Sequence, residues 1–255
     1  MATRARKSPV TTLERGDIFF VYRPKVGVDQ PRRLDDVSRL YMILRPERRR
    51  RFRLIIIGQK TLPRSRQQKA WAFVDVVSTR AAEVEDQLDP ETYQTKTRGE
   101  RKIPAARPAG EGRYRIVRHG SHTHRCYVLE LPEKTAAVQR AFHIAPEASY
   151  VVSVKNPEQG SPPGAGLSEG QQAKFPRRLQ HVFGDRRFAD LDPPDLLDIE
   201  GAEIVLTAAT ADVSRELGIK LERERETEAS AEIFNDLKME PDLHPKRPLF
   251  EGKWA

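Results

Sequence analysis

The stretch Arg39–Gly58, RLYMILRPERRRRFRLIIIG, decides how the chain is read. In Leu40-Tyr41-Met42-Ile43-Leu44 both alternating faces are apolar, and the same holds for Leu54-Ile55-Ile56-Ile57. A strand with one wet face alternates, so these are strands buried on two sides. Between them lie Pro46, Glu47 and four consecutive arginines, Arg48–Arg51, followed by Arg53. An unpaired guanidinium in a core costs several kcal/mol, so this turn must face water or an acidic partner.

A weaker echo of the hairpin lies further along. Arg39–Glu47 (RLYMILRPE) aligns with Arg125–Glu133 (RCYVLELPE), matching at Arg, Tyr, Pro and Glu. Upstream, Gly16–Tyr22 aligns with Gly112–Arg118, and downstream Leu54–Ile57 aligns with Val151–Val154. The pairs Val84/Leu88 and Val213/Leu217 mark a short helix after each set. The same elements in the same order predict an α+β protein of two similar, mainly antiparallel β units, an internal duplication with short helices. The competing reading is chance similarity between two antiparallel meanders.

On this reading residues 1–13 are a flexible basic arm and 14–95 the first β-rich unit. Residues 96–111 are a basic Pro/Gly linker, and 112–220 the second β-rich unit with extra helices. Residues 221–255 are a charged helix and a C-terminal tail, which Leu249, Phe250 and Trp254 predict to be docked on the body. Helices are expected at 80–88, 135–143, 169–183 (interrupted near Pro176), 211–217 (capped by Thr210) and 229–237.

Composition narrows the function classes. With 255 residues and 38% hydrophobic content the chain can bury a real core, and no apolar run reaches the roughly 18 residues of a membrane span. One cysteine, Cys126, excludes an internal disulfide framework. With no apolar core of a secretory signal at the N-terminus, the expectation is cytoplasmic. Charge is uneven: residues 1–125 hold 29 Lys and Arg against 14 Asp and Glu, and the remainder 16 against 23. That polarity points to an anionic partner for the first half, nucleic acid foremost. It also permits attraction between the halves, or self-association of copies through them.

Two surfaces carry candidate chemistry. The first is the arginine turn, Arg48, Arg49, Arg50, Arg51 and Arg53, joined by Arg98, Arg101 and Lys102 of the linker. Such residues neutralise phosphates without reading sequence. The second is a hairpin turning at Gly120-Ser121. A two-residue turn pairs His119 with His122, Val117 with His124 and Arg115 with Cys126. His119, His122, His124, Cys126, Arg113 and Arg115 then share one face, with Tyr114, Ile116, Tyr127 and Leu129 on the inward one. Three imidazoles could ligate a divalent metal, serve as acid/base groups, or hold an anion with the two arginines. The arginines favour an anion over a cation. The plainest reading is a solvated hairpin tip.

The acidic stretch Asp190, Asp192, Asp195, Asp198 and Glu200 lacks calcium-loop spacing and is broken by Pro193-Pro194, so it reads as turns and caps. The leading function is a non-enzymatic binding protein for nucleic acid or another polyanion. The alternative is an enzyme acting on a phosphorylated or anionic small molecule, with the three histidines as acid/base groups and Arg113 or Arg115 holding the anion. No cofactor is identified by any motif.

Overall fold

The computed structural model describes residues 10–97, 99–162, 165–210, 212–223, 226–227 and 230–255. A meander comes first: β1 (Val10–Pro24), β2 (Val37–Pro46), β3 (Phe52–Ile57) and β4 (Lys69–Ser78). The short helix α1 (Ala81–Glu85) and a hairpin of β5 (Glu91–Thr95) and β6 (Gly99–Ile103) follow. Next are β7 (Arg107–His119), β8 (His122–Leu131), α2 (Ala137–Phe142), β9 (Glu147–Lys155), α3 (Arg177–Gln180) and β10 (Phe188–Asp190). The chain ends with β11 (Glu203–Thr210), α4 (Val213–Leu217), α5 (Glu232–Asn235) and α6 (Arg247–Phe250).

The strands do not form two units. They close into one antiparallel barrel of eight, in the order β1-β2-β3-β4-β11-β9-β8-β7 and back to β1, with β10 outside on β9. The expected α+β duplication is therefore overturned: β1 of the first half pairs with β7 of the second, and β4 pairs with β11. Closure removes the exposed strand edges that two separate meanders would leave. The echo between Arg39–Glu47 and Arg125–Glu133 reflects the same demands on two barrel strands, β2 and β8, each buried on both faces.

Inward-facing Ile18, Phe20 and Tyr22 of β1 meet Leu40, Met42 and Leu44 of β2 and Tyr127, Leu129 and Tyr150 across the barrel. An eight-stranded barrel is narrow enough for side chains to fill it. The outward set, Phe19, Val21, Tyr41, Ile43 and Leu54, is covered by Val84 and Leu88 near α1 and by Ile233, Leu237, Met239 and Leu249 of the C-terminal segment. This second layer explains why the hairpin strands are apolar on both faces. Curvature comes from bulges, as between Thr12 and Glu14 and between Leu54 and Ile55, and from close strand approaches. At Gly16 a Cβ would lie 2.0 Å from the Arg45 carbonyl oxygen, and at Gly112 the same distance from that of Val128. Only glycine allows those contacts.

The α2 helix closes one barrel end with Val138 and Phe142. Trp254 of the tail sits edge-on to Tyr22 and Phe142 there, at 5.4 and 5.6 Å between ring centroids. The buried Gln139 amide donates to the carbonyls of Ala109 (2.8 Å) and Pro248 (2.9 Å), tying α2 to β7 and to α6.

Several boundaries differ from expectation. Residues 10–13, assigned to the basic arm, begin β1, and residues 1–9 lie outside the described residues. The stretch 96–111, read as a linker, holds β6 and the start of β7. The helix expected over 169–183 is a single 3-10 turn, Glu169–Gln171, and α3, separated by Pro176 in an extended conformation. Asp212, not Thr210, caps α4: its carboxylate accepts from the Arg215 backbone N–H at 2.9 Å. Among the described residues no helix is long and apolar enough to cross a membrane.

Candidate functional site

The arginine turn links β2 and β3, and its acidic partner is within the chain. Arg49 contacts Asp195 (2.9 Å) and Asp198 (3.2 Å), Arg51 contacts Asp198 (2.8 Å), and Arg178 also reaches Asp195 (3.2 Å). The carboxylates come from a 3-10 turn, Pro194–Asp198, that the double proline delivers to this spot. Burial works against the Asp195 charge, but hydrogen bonds from Arg49 and Arg178 outweigh it and hold the carboxyl below its usual range. Asp192 and Asp190 face the histidine hairpin instead, at Arg118 (2.7 Å) and His122 (3.8 Å). The uneven charge of the two halves is thus partly neutralised between them.

Arg53 is fully buried. Its Nη1 and Nη2 donate to the two oxygens of Glu14 (2.6 and 3.0 Å), and its Nε donates to Asp198 (2.7 Å). Tyr114 donates its hydroxyl to Glu14 at 2.8 Å. Burial opposes the Arg53 charge, but Glu14 overrides it and raises the pKa. Arg53 is a structural ion pair and offers nothing to a ligand.

Among the described residues Arg48, Arg50, Arg101 and Arg115 of the expected sites have no carboxylate partner, and two of them meet at one place. Arg48 of the turn and Arg115 of β7 line a recess of about 400 Å3, together with Arg15, Arg49 and the acids Glu14 and Asp195, which are held by Arg53 and Arg49. Arg15 is paired with Glu47, and Arg49 with the acidic turn. Arg50, exposed, lies on the other side of the turn in a cleft of about 670 Å3 that also holds Arg45, Arg113 and Lys238. There Arg113 is committed to Asp17, and Arg45 to Asp17 and Asp236. A larger cleft of about 900 Å3 beside Arg51 mixes Arg39 and Lys174 with Asp75 and Glu200 and has no single sign.

The other basic residues are elsewhere. Arg101 and Lys102 lie on β6, whose Lys102 carbonyl accepts from Gly27 N–H (3.0 Å) near the start of β2. The arginine turn is at the far end of that ten-residue strand, roughly 30 Å away. The linker and the turn therefore do not make one surface. Arg98 lies outside the described residues.

The histidine hairpin has the expected register, His119 opposite His122, Val117 opposite His124 and Arg115 opposite Cys126, with Gly120 at φ +61°. The shared face does not become a cluster, however. His124 is buried with Nδ1 3.2 Å from Ser149 Oγ, and burial, then the charges of His119 and His122, push its pKa down to about 4. His119 stacks edge-to-face on it at 5.9 Å, whereas His122 is exposed near Asp190. Cys126 is sealed among Val117, Val128, Val213 and Leu217, and burial pushes its thiol up to about 12. Among the described residues no group of three or more His, Cys, Asp or Glu is placed to hold a metal ion. None of the clefts above is lined by these histidines.

The residue sequence reasoning missed is Arg125. It precedes Tyr127 and Leu129 by two and four positions, so its parity puts it on their inward face. The side chain is 1% exposed inside the barrel, with Nη1 against Met42 Sδ and its Cζ 5.5 Å from the Tyr150 ring centroid. Its Nε and Nη2 have no hydrogen-bond partner among the described residues. Burial pushes its pKa down to about 10, which still leaves the guanidinium charged at neutral pH.

The chain matches no family model, no curated protein and no solved structure.

Proposed function

We propose that the protein is a non-enzymatic binding protein whose basic barrel rim engages an anionic partner, the nucleic-acid backbone. The observation that carries this reading is the convergence of Arg48 of the β2–β3 turn and Arg115 within β7, neither with a carboxylate partner among the described residues, on one recess. Two guanidiniums free of internal carboxylates keep their donors for phosphate oxygens. Arg50 extends the same rim. Among the described residues no row of exposed aromatics accompanies them, so the partner is held by its backbone rather than by stacked bases. The enzyme alternative required three histidines at the edge of an enclosed pocket, and the described geometry gives it no such support. A cytoplasmic location belongs to this reading, supported by a lone, buried cysteine.

Fluorescence anisotropy of mixed DNA and RNA oligomers across a salt series tests it, beside an Arg48→Ser/Arg50→Ser/Arg115→Ser variant. The wild type should bind at low salt with a steep salt slope. The variant should lose about 0.7–0.9 from the log–log slope for each phosphate contact removed. No binding at low salt rejects the proposal.

A further inference from the structure

Arg125 has no part in that rim, and its environment is unusual for a buried cation. No carboxylate among the described residues pairs with it, and the rings around it are the phenols Tyr114, Tyr127 and Tyr150. Its two unpartnered atoms, Nε and Nη2, lie on one edge of the guanidinium, and that edge presents two parallel N–H groups. Parallel N–H pairs are the fork that grips a carboxylate or phosphate through two oxygens. Buried donors left unmade are expensive, so this edge has a chemical purpose or a stability cost.

A route reaches it. Across neighbouring strands Arg125 is opposite Tyr150, and Tyr150 is opposite Ala208, which places all three in one row on the inner face. Tyr150 and Ala208 also line a cleft of about 500 Å3 between the loop after β3 and the ends of β9 and β11. Tyr150 thus stands between the buried guanidinium, which does not itself line the cleft, and the cleft. The cleft wall is small and apolar at Ala145 and Ala148, with Arg64, Arg66 and His143 on it as well. His143 Nδ1 lies 2.9 Å from the Leu62 carbonyl, which can only accept, so Nδ1 carries the proton. This cleft and the arginine turn lie at opposite ends of β3.

We infer that Arg125 anchors the acidic group of a small organic oxyanion, a carboxylate or phosphate, whose compact apolar body occupies the cleft beside Tyr150. Positive residues at the opening draw the anion in, the alanine wall accepts its body, and the fork fixes its head. The site is separate from the nucleic-acid rim and stands or falls independently of it.

Benzoate and phenyl phosphate, added to the full chain, are the probes. At a hundredfold excess over its dissociation constant the binding probe should raise the melting midpoint by about 5 °C. The Arg125 Nε–H resonance should shift with the same titration. Arg125→Met, of similar shape and without donors, should fold and lose the response, and Arg125→Lys, which lacks the fork, should bind at least about tenfold more weakly. The Arg48→Ser/Arg50→Ser variant should keep it, so a failure here is distinguishable from a failure of the rim. The stronger of the two probes identifies the head group. An unmoved Nε–H resonance with both probes, or an equal response from wild type and Arg125→Met, overturns the inference.

Discussion

Arg53 and Arg125 stand on the inner face of the same barrel, equally removed from water, and are treated in opposite ways. Arg53 has all three of its donor nitrogens on carboxylates, bidentate to Glu14 and single to Asp198. Arg125 has one nitrogen on a methionine sulfur and two on nothing. The first is a closed network, in which one base bridges two acids and Asp198 is shared with Arg49 and Arg51. The second is a charge held by aromatic faces alone, an arrangement that folding stability by itself does not favour. Burial therefore does not decide a residue's role here; the state of its hydrogen-bonding edges does.

The sharpest way to break this contrast is Arg53→Met. It would leave Glu14 and Asp198 without their shared cation and should cost about 3–5 kcal/mol in denaturant unfolding. A loss below about 1 kcal/mol would show that the pair is not the closed unit described.

A buried acid on the outer wall extends the comparison to a group held by dipoles without a countercharge. The Glu111 carboxyl accepts from the backbone N–H groups of Ile233 (3.0 Å) and Glu232 (3.2 Å) and so fastens α5 to β7. Burial outweighs those hydrogen bonds and raises its pKa to about 8 from an ordinary 4.5. Between those values the unfolded chain has released the proton and the folded one retains it, so stability is lost as pH rises through that window. The loss across the whole window is on the order of 5 kcal/mol. Glu111→Gln should flatten the curve between pH 4.5 and 8, and an unchanged slope in urea melts would remove Glu111 as its source.

Arg125→Met should move in the opposite sense to Arg53→Met. In buffer without added oxyanion it removes two unmade donors and should be neutral or stabilising by about 1 kcal/mol. A destabilisation as large as that of Arg53→Met would erase the difference between the two residues.

The smallest stability effect is expected at Asp195. Its partners Arg49 and Arg178 are half or more exposed, so Asp195→Asn should change stability by under about 1 kcal/mol. By removing one of the two carboxylates on Arg49 (the other is Asp198) it should nevertheless tighten oligomer binding at low salt, which anisotropy would read directly. Weaker binding would mean that Asp195 orients the turn instead of competing for it.

Much of the local structure was legible before any coordinates. The two-faced strands around the arginine turn, the register of the Gly120-Ser121 hairpin and the inward set Tyr114, Ile116, Tyr127 and Leu129 all follow from side-chain alternation and turn geometry. Arg125 was within reach of the same parity argument, but its charge led away from the core. The candidate site was less legible. The sequence singled out Arg48–Arg51 and Arg115 separately, and their meeting depends on β1 lying between β2 and β7.

By itself, the sequence determined strand positions, faces and the requirement that four arginines find water or acid, because these are short-range consequences of periodicity and solvation. Only the tertiary structure decided that β1 joins the two halves, that Asp195 and Asp198 are the acid, and that one arginine is paired and another is not. Pairing between distant strands depends on long-range closure, and no local pattern encodes which edge meets which.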